Sequence, residues 1–109
     1  MNTVDQAHAI LKKKISSFPE TLLVLGSGWN KIIDEMTIEQ RISYKELFGI
    51  ETSVAGHVGE LIVGAVHKKR IACMSGRFHM YEGYSGYDVT IPIRLFAKVG
   101  IKNLILTAA

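Results

Sequence analysis

Residues 76–85 read GRFHMYEGYS. Arg77 carries a planar fork of N–H donors that matches phosphate or carboxylate oxygens. In an extended segment, residues two apart share a side, so Arg77, His79 and Tyr81 line one face. Glu82 follows at once with a carboxylate that can orient the arginine and the histidine. An arginine and a histidine turned toward one anion make a phosphate receptor, and a tyrosine beside them suits a flat or sugar-like group. The same spacing also permits a plainer arrangement, in which Arg77 and Glu82 pair as a salt-bridged loop.

Two other stretches have the chemistry to join such a receptor. LGSG at 25–28 follows a continuous apolar run. Glycines there let the backbone approach a ligand, a following helix aims free N–H groups at an anion, and Ser27 adds a hydroxyl donor. Read alone, it is equally a plain strand-to-helix turn. AGHVG at 55–59 sets His57 between glycines, which suits a loop closing on a ligand and equally an idle, solvated histidine. His67, in a polar HKK turn, and His8, in the first helix, read as surface residues.

What is missing narrows the chemistry. No lysine follows the glycine loop in GK[ST] spacing and no G-x-S-x-G elbow occurs, so neither a nucleotide P-loop nor a serine hydrolase is indicated. The single cysteine, Cys73, lies in an apolar run and reads as a buried small hydrophobe. No histidines and carboxylates have metal-ligand spacing, and no cofactor is called for. A phosphate receptor without a P-loop points to phosphate as a substrate. Net charge is +3, but the lysines are scattered with few rings between them, so no nucleic-acid groove is indicated. No apolar run is long enough to span a membrane, and the lysines of MNTVDQAHAILKKK come after its apolar residues, the wrong order for a secretory signal. The expected location is the cytoplasm.

The elements that must hold these loops follow from periodicity. Thr3 and Gln6 form a capping box ahead of Val4, Ala7, Ile10, Leu11 and Ile15, which recur at helical spacing until Pro19. TLLVLG (21–26) reads as a strand buried on both faces, and WNKIIDEM as a short helix. IEQRISY (38–44) alternates as a half-buried strand, and KELFGIETSVAGHVG after it reads as irregular. ELIVGAV and RIACMS form a hairpin across the turn at 67–69. Residues 88–100 predict a helix with Pro92 near its start, an apolar face of Ile93, Phe96, Ala97 and Val99, and Gly100 as its stop. NLILTAA (103–109) reads as another buried strand. The 109 residues suffice for one domain. Strands alternating with helices imply an α/β fold: a mixed, largely parallel β-sheet with flanking helices. A buried final strand that stops at its own tip, where ligands bind in such folds, reads as a truncation.

LGSG at 25–28, AGHVGELIVG at 55–64, GRFHMYEGY at 76–84 and VTIPIRLFAKVGIKNLILTAA at 89–109 together resemble the N-terminal part of a purine nucleoside phosphorylase, of the trimeric class acting on guanosine and inosine. The resemblance implies phosphorolysis of purine (deoxy)ribonucleosides to a free base and (deoxy)ribose 1-phosphate, in purine salvage. It implies that inorganic phosphate is a co-substrate and that the full-length parent is a homotrimer. It also implies that residues 1–109 are the N-terminal part of a single domain whose C-terminal part, with the purine site, is absent. By resemblance Ser27, His57, Arg77 and His79 bind phosphate together with the backbone at Phe78 and Ala109. Tyr81 packs on the ribose, and Glu82 holds Arg77 and His79, the pair His79 and Glu82 forming the catalytic part. Two departures stand out: GSGWN replaces the usual GSGLG, and Ala108 stands where asparagine is common. Two other readings remain open. The chain is an inactive fragment that at most binds phosphate or docks a partner, or it is a relative of methylthioadenosine phosphorylase, which lacks the YEG continuation.

Overall fold

In a computed structural model of the chain, the described residues are 2–50, 59–76 and 86–107. Helix α1 spans Val4–Lys14. Its start is the expected capping box: the Thr3 hydroxyl accepts from the Gln6 N–H at 3.1 Å, and the Thr3 N–H donates to Gln6 Oε1 at 2.9 Å. Lys12, Lys13 and Lys14 end it with positive charge, where the helix dipole favours cations.

Five strands form one sheet in the order β2-β3-β4-β1-β5. They are β1 (Thr21–Leu25), β2 (Thr37–Ser43), β3 (Glu60–Val66), β4 (Lys69–Ser75) and β5 (Asn103–Leu106). Strand β1 pairs in parallel with both β4 and β5, while β2, β3 and β4 pair antiparallel. The sheet is therefore mixed, parallel in one half and antiparallel in the other. The β3–β4 hairpin turns on His67 and Lys68, whose φ values of 50° and 69° put both in the left-handed region, as the two-residue turn that matches the right-handed twist of the strands requires.

Side chains alternate across the inner strands and feed two cores. Leu61 and Val63 of β3, Ala72 and Met74 of β4, and Leu22 of β1 face α1, α3 (Tyr44–Phe48) and α4 (Gly86–Lys98). Ile62, Ile71, Cys73 and Leu25 face the other way and meet Met36, with Ile32 and Ile33 of α2 (Lys31–Asp34) packed on them. This two-sided burial is why these strands read as unbroken apolar runs.

Several expectations need correction. The segment after β2 is not wholly irregular, because α3 occupies its start. The Ser43 hydroxyl caps it by accepting from the Glu46 N–H at 3.1 Å, and Gly49 closes it. Helix α4 begins at Gly86, so Pro92 lies inside it. Its buried face is Ile91, Leu95 and Phe96; Ile93 is 49% exposed and Ala97 is exposed. The helix turns Ile91 and Leu95, spaced one turn apart, onto the core that α1 shares. Strand β2 buries Ile42 alone, because it is a sheet edge. Strand β5 is the opposite edge and is exposed along its whole length, not buried.

Candidate functional site

Strand direction decides which loops meet. Strands β4, β1 and β5 run in parallel, and Leu25 stands opposite Ser75, Leu106 opposite Val24. Strand β3 runs the other way, so its first residue, Glu60, is paired with Ser75, the last of β4. The last residue of β2, Ser43, pairs with Glu60 in turn. Gly26, Tyr44, Gly59, Gly76 and Thr107 consequently stand along one edge, at the carboxyl ends of the parallel strands. That is where open α/β sheets bind ligands.

The glycine loop is tied to the end of β5. The Gly26 N–H donates to Thr107 Oγ1 at 2.8 Å. The Thr107 hydroxyl donates to the Val24 carbonyl at 2.9 Å, and the Thr107 N–H reaches the same oxygen at 3.1 Å. Beyond Gly26 the chain tightens into a short 3₁₀ turn, Ser27–Trp29, with the Trp29 N–H donating to the Gly26 carbonyl at 3.0 Å. Ser27 thus opens a turn directly past the strand tip. GSGWN makes a 3₁₀ turn before α2, and Trp29 is 49% exposed at its end.

A second tie joins three backbones around Tyr44. Its N–H donates to the Gly59 carbonyl at 3.0 Å, and its hydroxyl donates to the Gly76 carbonyl at 2.5 Å. The side chain is 2% exposed, and its ring packs on Phe48 edge to face. Both glycines are required by space. A Cβ at Gly59 would lie 2.1 Å from the Tyr44 ring, and one at Gly76 would lie 3.0 Å from the Gly59 Cα. Gly76 also has φ +104°, a conformation that other residues rarely adopt. Burial first, and the Glu60 carboxylate second, push the Tyr44 hydroxyl well above its ordinary pKa, so it remains a protonated donor.

Of the expected site residues, Ser27 falls in the described turn. His57, Arg77, Phe78, His79, Tyr81, Glu82 and Ala109 lie outside the described residues. Their chain neighbours do not: Arg77 follows Gly76 directly, His57 precedes Gly59 with Val58 between, and Ala109 follows Thr107 with Ala108 between. All three neighbours belong to the edge just described. Neither Tyr44 nor Thr107 was singled out by the sequence. Cys73 is fully buried, and burial pushes its thiol up to about 11, so it is no nucleophile at neutral pH. Among the described residues no three His, Cys, Asp or Glu side chains gather as a metal site.

Comparison with known proteins follows the same lines. No family model matches the chain. It is 39% identical over 108 residues to purine nucleoside phosphorylase 1 of Geobacillus stearothermophilus, covering 97% of this chain and 39% of that one. The purine nucleoside phosphorylase of Schistosoma mansoni, solved with acetate, superposes with a TM-score of 0.84 at 37% identity, again over 97% of this chain and 39% of that one. A purine nucleoside phosphorylase solved with ribose-1-phosphate superposes at 0.78 and 35% identity, with the same coverage. In sequence and in fold, 97% of the chain is therefore matched by purine nucleoside phosphorylases, and it spans 39% of the length of the relatives to which it is aligned.

Proposed function

We propose that these 109 residues are the phosphate-and-ribose part of a purine nucleoside phosphorylase, the N-terminal portion of a single domain. The observation that carries the reading is the shared sheet edge. Gly26, Gly59, Gly76 and Thr107 stand there, and they are the chain neighbours of Ser27, His57, Arg77 and Ala109. The relative solved with ribose-1-phosphate supports it by its ligand, which joins the sugar and the phosphate of the proposed reaction.

In this reading Arg77 clamps inorganic phosphate through its two-pronged donor face. Ser27, His57 and His79 add donors, and the backbone at Phe78 and Ala109 completes the cradle. Tyr81 packs on the ribose, and Glu82 holds Arg77 and His79 in orientation. A phosphate oxygen attacks C1′ of the nucleoside as the C1′–N bond breaks. The bonding pair leaves with the purine, which takes up a proton, and ribose 1-phosphate remains. Holding phosphate beneath the sugar supplies the rate by placement and by countering developing charge. Phosphate is a co-substrate and no organic cofactor enters. The full protein works as a homotrimer in the cytoplasm, in purine salvage. The chain spans 39% of the length of the relatives it matches, so turnover is proposed for a protein of their full length.

Arg77→Ala tests the assignment. Loss of a charge-assisted pair of hydrogen bonds costs about 1.5–3 kcal/mol, so the phosphate KM should rise by roughly tenfold to a hundredfold. The nucleoside KM should move little, and Arg77→Lys should fall between. An unchanged phosphate KM in Arg77→Ala would remove Arg77 from the site.

A further inference from the structure

We infer that Tyr44 is a positioning residue for the phosphate site: its hydroxyl and ring lock the backbone at Gly76 to the backbone at Gly59, and so fix the points from which Arg77 and His57 are presented. The inference rests on the phosphate role proposed for those two residues and adds a residue outside that set.

Three observations carry it. First, Tyr44 is fixed on its own account. It is the first residue of α3, behind the Ser43 cap, with its ring held by Phe48 in the core. Second, it bonds to the backbone carbonyls of both glycines, its N–H donating to Gly59 and its hydroxyl to Gly76. Third, the contact is closed to any side chain, since a Cβ on Gly59 would overlap the ring and one on Gly76 would press on the Gly59 Cα. A core tyrosine needs only a partner for its hydroxyl, and any nearby carbonyl would serve. This one takes the carbonyl of the residue that precedes Arg77. That carbonyl belongs to the peptide bond through which the chain passes on to Arg77. A displacement of about 1 Å at a positioned group is enough to cost a large factor in rate or affinity.

The test is Tyr44→Phe in the full protein, which keeps the ring and removes one hydroxyl. The phosphate KM should rise about tenfold while kcat and the nucleoside KM change less than about threefold. Leu95→Ala, a buried residue on α4 that takes part in neither of these two bonds, serves as the matched control: it should lower the melting temperature at least as far and leave the phosphate KM where it was. Hydrogen exchange supplies a readout independent of turnover. Amides in peptides covering Gly59 and Gly76 should exchange about tenfold faster in Tyr44→Phe, without the general acceleration expected of Leu95→Ala. If the phosphate KM of Tyr44→Phe follows the melting temperature as the control does, or if exchange at Gly59 and Gly76 is unchanged, the inference is overturned. Turnover by the unsubstituted protein that ignores phosphate would instead overturn the phosphate reading itself and this inference with it. The exchange result would then show only whether the contact holds the Gly59 and Gly76 backbones together.

Discussion

Strands β3 and β5 look alike in sequence and differ in the fold. After their first, polar residues, ELIVGAV and NLIL are both unbroken apolar runs. In β3, Leu61, Ile62 and Val63 are at most 1% exposed, with a strand on each side and a core on each face. In β5, Leu104, Ile105 and Leu106 are 47%, 48% and 68% exposed, with β1 as the single neighbouring strand among the described residues. An apolar run states that a strand gains from burial on both faces; it does not state which chain segment supplies the cover. Strand β3 is held by packing. Strand β5 is held by its ladder to β1 and by the Thr107 hydroxyl at its end. Its value to the site lies in where it ends.

That contrast is open to direct attack. Leu61→Ala should cost about 2–5 kcal/mol in urea unfolding, because it empties a site that cannot collapse. Ile105→Ala in the same 109-residue chain should cost less than about 1 kcal/mol, since half its surface already meets water. Equal losses would show that β5 is packed as β3 is. Thr107→Val comes next. It keeps the shape and removes the acceptor of the Gly26 N–H, at about 1–2 kcal/mol. In the full protein it should also raise the phosphate KM a few-fold, because the glycine loop loses its tie. A stability loss with phosphate kinetics unmoved would reduce Thr107 to a strand anchor. Smallest is a pH effect from the core behind β3. The Cys73 thiol is raised to about 11 in the fold, so the unfolded chain releases that proton first as pH climbs. Stability should therefore fall from about pH 8 to about pH 10 by roughly 1 kcal/mol. Cys73→Ala should lack that part of the slope, and an identical slope in both would place the cause elsewhere. Tyr44, whose pKa is also raised, adds loss of the same sign at still higher pH.

Much of the frame was legible in the residues. The Thr3–Gln6 capping box, the β3–β4 hairpin and the stop at Gly100 are local devices, and each stands where its signature lies. The start of α3 has a signature too, the S-x-x-E of Ser43 and Glu46, but the glycines that follow it signal irregular chain. The buried face of α4 was not, because periodicity gives a stripe and contact with α1 decides how it is turned. Exposure of β5 was not legible either, since it depends on strand order. Among the proposed site residues, a run such as GRFHMYEGYS announces chemistry by composition. Tyr44 and Thr107 announce nothing, because their partners are backbone atoms 32 and 81 residues away.

The central claim is that this sheet edge serves a phosphorolytic site, and the phosphate dependence of nucleoside cleavage tests it most directly. Inosine or guanosine would be supplied to the full protein over a range of inorganic phosphate, and the sugar product identified. The account predicts a rate that saturates with phosphate, vanishes without it and yields ribose 1-phosphate. Cleavage at the same rate without phosphate, releasing free ribose, would contradict it.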